Sequence, residues 1–238
     1  MTSATPQRVS PRLDPVRLAA VSAGVFVLWG AGKCFASFFD GSAATLAERW
    51  AVLMRCGIYT LALTLTLRRW RLPFVSVIRV SGHAPSLPRI ILLSLGTYAV
   101  IIAAGFLGPW PAADPAPSAG FRALHLTTME GILTLLDICL LAPVMEELFF
   151  RRLWLASLLH TSGFEDGDAL RLTPAVVMSF LGQAVGFALV HGLNRIGLLS
   201  FNGLMLACLL YTTRRLATPV LVHAAVNTTS VVLMVIAR

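Results

Sequence analysis

Long apolar stretches separated by short polar ones dominate the pattern of this 238-residue chain. A helix needs roughly 17 to 25 mainly apolar residues to cross the ~30 Å hydrocarbon core of a bilayer, and we count about seven such stretches. They lie at residues 18–39, 51–67, 89–108, 127–150, 174–191, 196–213 and 219–237. No run of alternating ten-residue segments suggests a barrel, and only helices or closed barrels satisfy their backbone in lipid. The pattern predicts an all-α, polytopic membrane helix bundle with about seven transmembrane helices.

Composition and charge placement support a membrane setting. The chain is 57% hydrophobic and only 13% charged, far from the averages of soluble domains. The net charge of +8 comes from arginines before the first stretch, between the second and third, and at the ends of the fourth and sixth. The positive-inside bias then predicts a cytoplasmic N-terminus and an external C-terminus. Because a nucleic-acid site would gather the arginines on one folded face, no nucleic-acid partner is expected.

The apolar pattern also predicts how the chain is organised. Residues 1–17 are expected to form a cytoplasmic N-terminal tail, 18–126 a transmembrane scaffold, and 127–238 a transmembrane core that carries the polar residues of interest. The first apolar run is about 22 residues long, longer than the 7 to 15 apolar residues of a signal peptide, so it is expected to remain in the protein. The four cysteines lie singly inside predicted spans, which favours reduced, buried thiols.

A charged segment interrupts the fourth apolar run. The sequence VMEELFFRRLW at 144–154 places Glu147 and Arg151 four residues apart, the spacing at which a carboxylate and a guanidinium meet on one helix face. We therefore predict a structural ion pair between them. Glu146 points about 100° away from Glu147 and is expected to lie in a different environment. Pro143 precedes the segment, and a proline kinks a helix and frees a backbone carbonyl.

Two further apolar stretches carry polar side chains at helical spacing. In GFALVHGLN, His191 follows Phe187 by four residues, so the aromatic ring can pack on the same face as the imidazole. In PVLVHAAVN, His223 and Asn227 project from one face of the last helix. Each histidine alone is weak evidence, because a lone intramembrane histidine is more often a satisfied packing residue than a catalyst. Polar groups on separate apolar helices are costly to bury unless they satisfy one another or line a wet cavity.

These residues carry a resemblance to a known family. EELFFR at 146–151, FALVH at 187–191 and HAAVN at 223–227 occur in the same order as the Glu-Glu-x-x-x-Arg, Phe-x-x-x-His and His-x-x-x-Asn motifs of the CPBP group of intramembrane glutamic proteases. This group includes the type II CAAX prenyl endopeptidases and the bacterial Abi proteins. The similarity covers about residues 127–235. It implies a membrane-embedded endopeptidase, and we expect an integral, multi-pass protein of the bacterial inner membrane.

The resemblance implies a role for each motif residue. Peptide hydrolysis needs a base to deprotonate water, donors for the oxyanion and an acid for the departing amine. Glu146 would be the base, because a carboxylate shielded from water is a better proton acceptor than one in bulk solvent. His191 would hold and polarise the same water. His223 and Asn227 would donate hydrogen bonds to the tetrahedral oxyanion, and Glu146 would return its proton to the leaving nitrogen.

A zinc site is the alternative reading of the same residues. His191, His223 and Glu146 are a His₂Glu set of the kind that binds zinc in hydrolases. The chain contains no HExxH sequence, the histidines lie on different helices, and Asn227 suits an oxyanion donor better than a ligand. We therefore expect no metal and no other cofactor.

The partners expected from this interpretation are the lipid bilayer and a membrane-anchored protein or peptide. Cleavage is expected near a lipidated or transmembrane C-terminus, and tail processing of a myxosortase-like kind is a second possibility for the substrate. A non-enzymatic transporter or scaffold is the other functional class that a buried polar cluster allows. Transporters often have Gly- or Pro-interrupted spans in matching halves, and this sequence has no such symmetry.

Simple alternation of the predicted spans leaves one geometric conflict. At 1.5 Å per residue it places His191 near the external face, while Glu146 and His223 lie nearer the cytoplasmic face. The mechanism requires the three side chains to meet. We expect either tilted helices within 174–213 or an inward dip of the segment HGLNRIG at 191–197.

Overall fold

The computed structural model of the protein describes Val80 and residues 83–108, 129–164, 171–191 and 193–236. Every regular element in this part of the chain is a helix, as the apolar pattern predicted. The elements are α1 (Leu87–Leu107), α2 (Met129–Leu136), π1 (Asp137–Leu141), α3 (Ala142–Glu146), π2 (Glu147–Trp154), α4 (Leu155–Thr161), α5 (Pro174–His191), α6 (Ile196–Thr213) and α7 (Ala217–Ile236). The predicted tail at 1–17 and the predicted spans 18–39 and 51–67 lie outside the described residues.

Four of these helices are long and apolar enough to cross a membrane: α1, α5, α6 and α7. Their bounds agree with the predicted spans 89–108, 174–191, 196–213 and 219–237 within two residues. Their ends follow from local chemistry. Pro88 lies in the first turn of α1, where its missing N–H costs no hydrogen bond. Arg214 closes α6 in a left-handed conformation, with φ of 57° and its N–H donating to the Leu210 carbonyl.

One continuous helix runs from Met129 to Thr161 through α2, π1, α3, π2 and α4. The junction residues between these elements all have right-handed helical backbone angles. The helix thus extends eleven residues beyond residue 150, the predicted end of the apolar span. The helix continues because Arg151 and Arg152 are buried rather than solvated, and because Leu155 and Leu159 beyond them pack into the core.

The three side chains that simple alternation of the spans separates lie close together in the structure. The helix from Met129 to Thr161 extends over roughly 50 Å, and Glu146 lies near its middle rather than at its end. His191 is the last residue of α5, and His223 lies in the second turn of α7. Glu146 and these two imidazoles meet within hydrogen-bonding or near-contact distance, as described below.

The apolar core joins α4 to α5 and α6. It contains Leu148, Leu155, Leu159, Phe164, Val176, Phe180, Ala207, Leu210, Tyr211 and Leu216. A second cluster ties α1 to α6 and α7 through Ile101, Leu206, Leu209 and Val222. Tyr98 of α1 and Thr229 of α7 also share a hydrogen bond of 2.7 Å between their hydroxyl oxygens. Thus α1, which the sequence assigned to a scaffold, packs directly on the helices that carry the site.

Two glycines allow the helices around the site to approach closely. A Cβ added to Gly203 of α6 would lie 3.2 Å from Cδ1 of Phe187 and 3.3 Å from Cα of Ala184, both on α5. A Cβ added to Gly186 would overlap the indole ring of Trp154, which itself packs on Phe150 with 5.7 Å between the ring centroids. The Gly186 contact fixes how closely α5 lies against the helix that carries Glu146.

We predict that Gly186→Ala destabilises the protein by about 1 to 3 kcal/mol, the usual cost of forcing an additional group into a packed contact. The expected readout is a lower midpoint of thermal unfolding of the purified protein in detergent or lipid.

Gly182→Ala is the matched control, because Gly182 lies one turn earlier on α5 and its added Cβ would meet nothing within 4 Å among the described residues. This control is expected to be neutral or slightly stabilising, since alanine is favoured over glycine in a helix. Equal midpoints for the Gly186 and Gly182 variants would contradict the close contact with Trp154.

Candidate active site

Glu146 lies between two imidazoles that come from two other helices. Its Oε1 is 3.4 Å from Nε2 of His191 at the end of α5, and its Oε2 is 3.8 Å from Nε2 of His223 on α7. Each carboxylate oxygen therefore faces a different histidine. The structure brings together three of the four side chains to which the sequence assigned chemistry.

The second nitrogen of each imidazole has an acceptor as its partner. Nδ1 of His191 is 2.7 Å from the Phe187 carbonyl oxygen, and Nδ1 of His223 is 2.8 Å from Oε1 of Glu147. A carbonyl and an ionised carboxylate only accept, so Nδ1 must carry the hydrogen in both rings. In the neutral rings each Nε2 then presents a lone pair towards Glu146. Two nitrogen lone pairs and a carboxylate thus converge on one place, where the hydrogens of a water molecule or an additional proton are well accommodated.

Exposure differs sharply across the site. The side chains of Glu146 and His191 are 17% and 26% exposed, whereas those of Glu147 and Arg151 are fully buried. His223 lies between these two environments at 9%. The site is therefore accessible at Glu146 and His191 and closed behind His223.

Glu147 has two partners. Its Oε2 is 3.2 Å from Nε of Arg151, the contact predicted from their spacing, and its Oε1 accepts the hydrogen of His223. The second contact was not predicted from the sequence, because spacing along one helix carries no information about a residue 76 positions away. Glu146 and Glu147 differ in exposure, as predicted, yet both contact the same imidazole. A carboxylate behind a histidine fixes the orientation of the ring and the tautomer it adopts.

Phe187 fills the space between the charged groups. Its ring centroid lies 4.2 Å from Cζ of Arg151, 4.5 Å from the ring of His191 and 6.1 Å from that of His223. The short distance to Arg151 is that of a cation–π contact, which partly compensates the buried guanidinium. Phe187 thereby holds both imidazoles and the arginine at fixed separations, and its own carbonyl orients His191.

Asn227 has a different neighbourhood from His223, although both project from one face of α7. Its Nδ2 donates a hydrogen bond of 2.9 Å to the backbone carbonyl of Ile138, in the π1 turn before Glu146. Pro143 was predicted to leave a backbone carbonyl of its helix without a donor, and Asn227 supplies that donor. The role of oxyanion donor given to Asn227 and His223 by the sequence remains a prediction.

A metal site was the alternative interpretation of these side chains. Among the described residues, no group of three or more His, Cys, Asp or Glu side chains has an arrangement that could hold a metal ion. Glu146, His191 and His223 nevertheless include the donor types that zinc prefers, and a chelation experiment separates the two chemistries.

We predict that Glu147→Gln lowers the free energy of unfolding by about 3 to 5 kcal/mol, because it leaves the Arg151 guanidinium buried without its carboxylate. Apart from the ion pair, the guanidinium nitrogens of Arg151 have no hydrogen-bond partner among the described residues. The measurement is thermal unfolding of the purified variants.

The double variant Glu147→Gln/Arg151→Met is the control for this prediction. Removing both charges relieves the uncompensated one, so the double variant is expected to recover most of the lost stability. If the two residues were not coupled, the stability losses of Glu147→Gln and Arg151→Met would simply add in the double variant. That outcome would contradict the prediction.

Comparison with known proteins adds an independent observation. Residues 128–229 match the family model described as Type II CAAX prenyl endopeptidase Rce1-like. This range includes all three motifs and begins at the helix that carries Glu146. No curated protein and no solved structure is similar enough to the chain to count as a match. The matched range and the apolar helices together indicate a protease integral to a membrane, and residues 128–229 support the resemblance to the CAAX/CPBP intramembrane endopeptidases.

Proposed function

We propose that the protein hydrolyses a peptide bond of a membrane-anchored protein or peptide, with a water molecule activated by Glu146. The observation that carries this proposal is the position of the Glu146 carboxylate, partly accessible and facing the Nε2 atoms of His191 and His223. A carboxylate with two imidazoles on separate helices supplies both a proton acceptor and the groups that orient a nucleophile.

Water activation is the first step. A water molecule between Glu146 and His191 donates one hydrogen to the carboxylate and the other to Nε2 of His191. Its oxygen lone pair is then directed towards the substrate carbonyl carbon. As the new C–O bond forms, Glu146 takes the first proton, and the carbonyl π electrons move onto the oxygen. The Phe187 carbonyl keeps Nδ1 of His191 protonated, so that Nε2 remains the acceptor.

Stabilisation of the oxyanion follows from the environment of His223. Its Nδ1 donates to Glu147, which fixes the ring with Nε2 directed towards Glu146, and this nitrogen is a donor for the developing negative charge whenever it carries a hydrogen. Asn227 was assigned the same role from the sequence, and the second hydrogen on its Nδ2 is the one that this role would use. Donors of this kind typically contribute about 3 kcal/mol each to transition-state stabilisation.

Collapse of the tetrahedral intermediate completes the reaction. Glu146 gives its proton to the leaving nitrogen, the C–N bond breaks, and the C=O bond re-forms. The products are a new carboxyl group and a new amine, and the atoms of the attacking water molecule are divided between them. Glu146 is then again ionised, and the proposed cycle uses no cofactor.

The proposed substrate is anchored near its cleaved bond, by a lipidated or a transmembrane C-terminus. The helix that carries Glu146 exposes Leu140, Leu141 and Val144 within two turns of the carboxylate. Exposed apolar side chains at this level suit a peptide held at a membrane better than one free in water. The proposed setting is a bacterial inner membrane with a cytoplasmic N-terminus. A zinc protease using the same residues and a non-enzymatic transporter or scaffold are the alternatives that the next experiment addresses.

We predict that Glu146→Gln loses at least about 10²-fold in turnover while keeping the thermal stability of the wild type, because the amide cannot accept the proton of water. The assay uses the purified protein in lipid vesicles and a library of membrane-tethered peptides, half of them with a lipidated C-terminus. Each variant is measured with and without a chelator.

His160→Gln provides the control, since His160 lies on α4, fourteen residues and roughly 20 Å along the helix from Glu146; this variant is expected to cleave like the wild type. Activity that survives chelation and is lost in Glu146→Gln supports glutamate chemistry. Loss of wild-type activity on chelation would instead indicate a zinc-dependent mechanism. Retained cleavage by Glu146→Gln would contradict the proposed base, and absence of cleavage by folded wild type with both halves of the library would favour the scaffold class.

A further inference from the structure

The backbone of the helix before Glu146 contains a carbonyl that the helix itself cannot satisfy. In π1, the N–H of Ala142 donates to the carbonyl of Asp137, five residues earlier. In a regular α-helix this N–H would have bonded to the Ile138 carbonyl, four residues earlier. The shift to the wider spacing thus removes the first possible donor to Ile138.

The next residue removes the second possible donor. With the five-residue spacing of a π turn, the partner of the Ile138 carbonyl would be the backbone nitrogen of residue 143. That residue is Pro143, which has no N–H. The sequence therefore leaves the Ile138 carbonyl without a donor from its own helix, whichever of the two spacings is considered.

Asn227 of α7 supplies the missing donor from outside. Its Nδ2 is 2.9 Å from the Ile138 oxygen, and the contact is partly buried. A buried carbonyl without a partner costs about 1 to 3 kcal/mol, so the contact stabilises the widened turn rather than merely touching it. One turn earlier on the same face, His223 contacts Glu147 and faces Glu146. Hence α7 holds the Glu146 helix at two points, on either side of α3.

We propose that Asn227 is a positioning residue: by replacing the N–H that Pro143 lacks, it holds the π1 turn that sets the direction of Glu146. This inference rests on the proposed function for its kinetic consequence, because a shift of Glu146 relative to the two imidazoles matters only if Glu146 activates water. It differs from the role of oxyanion donor, in which Asn227 would act on the substrate and the nature of residue 143 would be irrelevant.

The test is a double-mutant cycle between Asn227→Ala and Pro143→Ala. Pro143→Ala restores an N–H at the position that can donate to Ile138, and it removes a residue that is unfavourable inside a helix. The four proteins of the cycle are compared in lipid vesicles by the midpoint of thermal unfolding and by kcat and KM on a cleaved tethered peptide.

In the wild-type background, Asn227→Ala is expected to lower kcat about 10²-fold with little change in KM, as displacement of a catalytic group by about 1 Å does. It is also expected to lower the unfolding midpoint. In the Pro143→Ala background both losses should shrink, because the restored N–H replaces the amide of Asn227. The thermal measurement needs no substrate. It therefore tests the coupling of Asn227 and Pro143 even if the proposed cleavage is not observed.

Ser230→Ala is the matched control on α7, since within the part of the chain that the structure describes the Ser230 hydroxyl donates to the Val226 carbonyl of its own helix. Its effects should be the same in both backgrounds. If Asn227→Ala lowers kcat and the unfolding midpoint by the same amount in both backgrounds, within about twofold, residues 143 and 227 act independently. That result would overturn the inference in favour of Asn227 as a direct donor to the substrate. Failure of both Asn227→Ala proteins to fold would overturn it as well, because the restored N–H would not have replaced the amide.

Discussion

His223 is held between two carboxylates, and the arrangement of the site depends on this interaction. One ring nitrogen is bonded to the buried Glu147, and the other faces the accessible Glu146. Adjacent residues on one helix thereby differ in environment: Glu147, paired with Arg151, fixes the imidazole, while Glu146 remains partly accessible. Because a buried carboxylate is costly unless paired and hydrogen-bonded, the burial of Glu147 requires both Arg151 and His223.

The geometry of the helices also contributes to the position of Glu146 beside the two imidazoles. Two π segments flank the short α3 turn that ends at Glu146, and irregularities of this kind are frequent at functional sites because they redirect side chains. Close approach of α5, allowed by Gly186 and Gly203, places Phe187 against the guanidinium of Arg151 and both imidazoles. The polar cluster is thus surrounded by aromatic and aliphatic groups, which strengthens every electrostatic contact within it.

Much of this arrangement was predictable from the sequence, and the remainder follows from contacts between distant residues. Apolar runs predicted α1, α5, α6 and α7 closely because span length is set by bilayer thickness. The helix continues eleven residues beyond the predicted span end at residue 150, because Arg151 is buried beside Glu147 rather than solvated. Helical spacing predicted the Glu147–Arg151 pair. It contained no information on the Glu147–His223 contact, which only tertiary packing determines.

The imidazole of His223 donates through Nδ1 to Glu147 and presents Nε2 to Glu146. The most direct measurement is the ¹⁵N chemical shift of histidine ring nitrogens in the labelled protein in lipid or detergent, at a pH where the rings are neutral, with assignments from His223→Asn and His191→Asn. We predict a protonated Nδ1 and an unprotonated Nε2 for both residues. A hydrogen on Nε2 of neutral His223, with Nδ1 unprotonated, would contradict it.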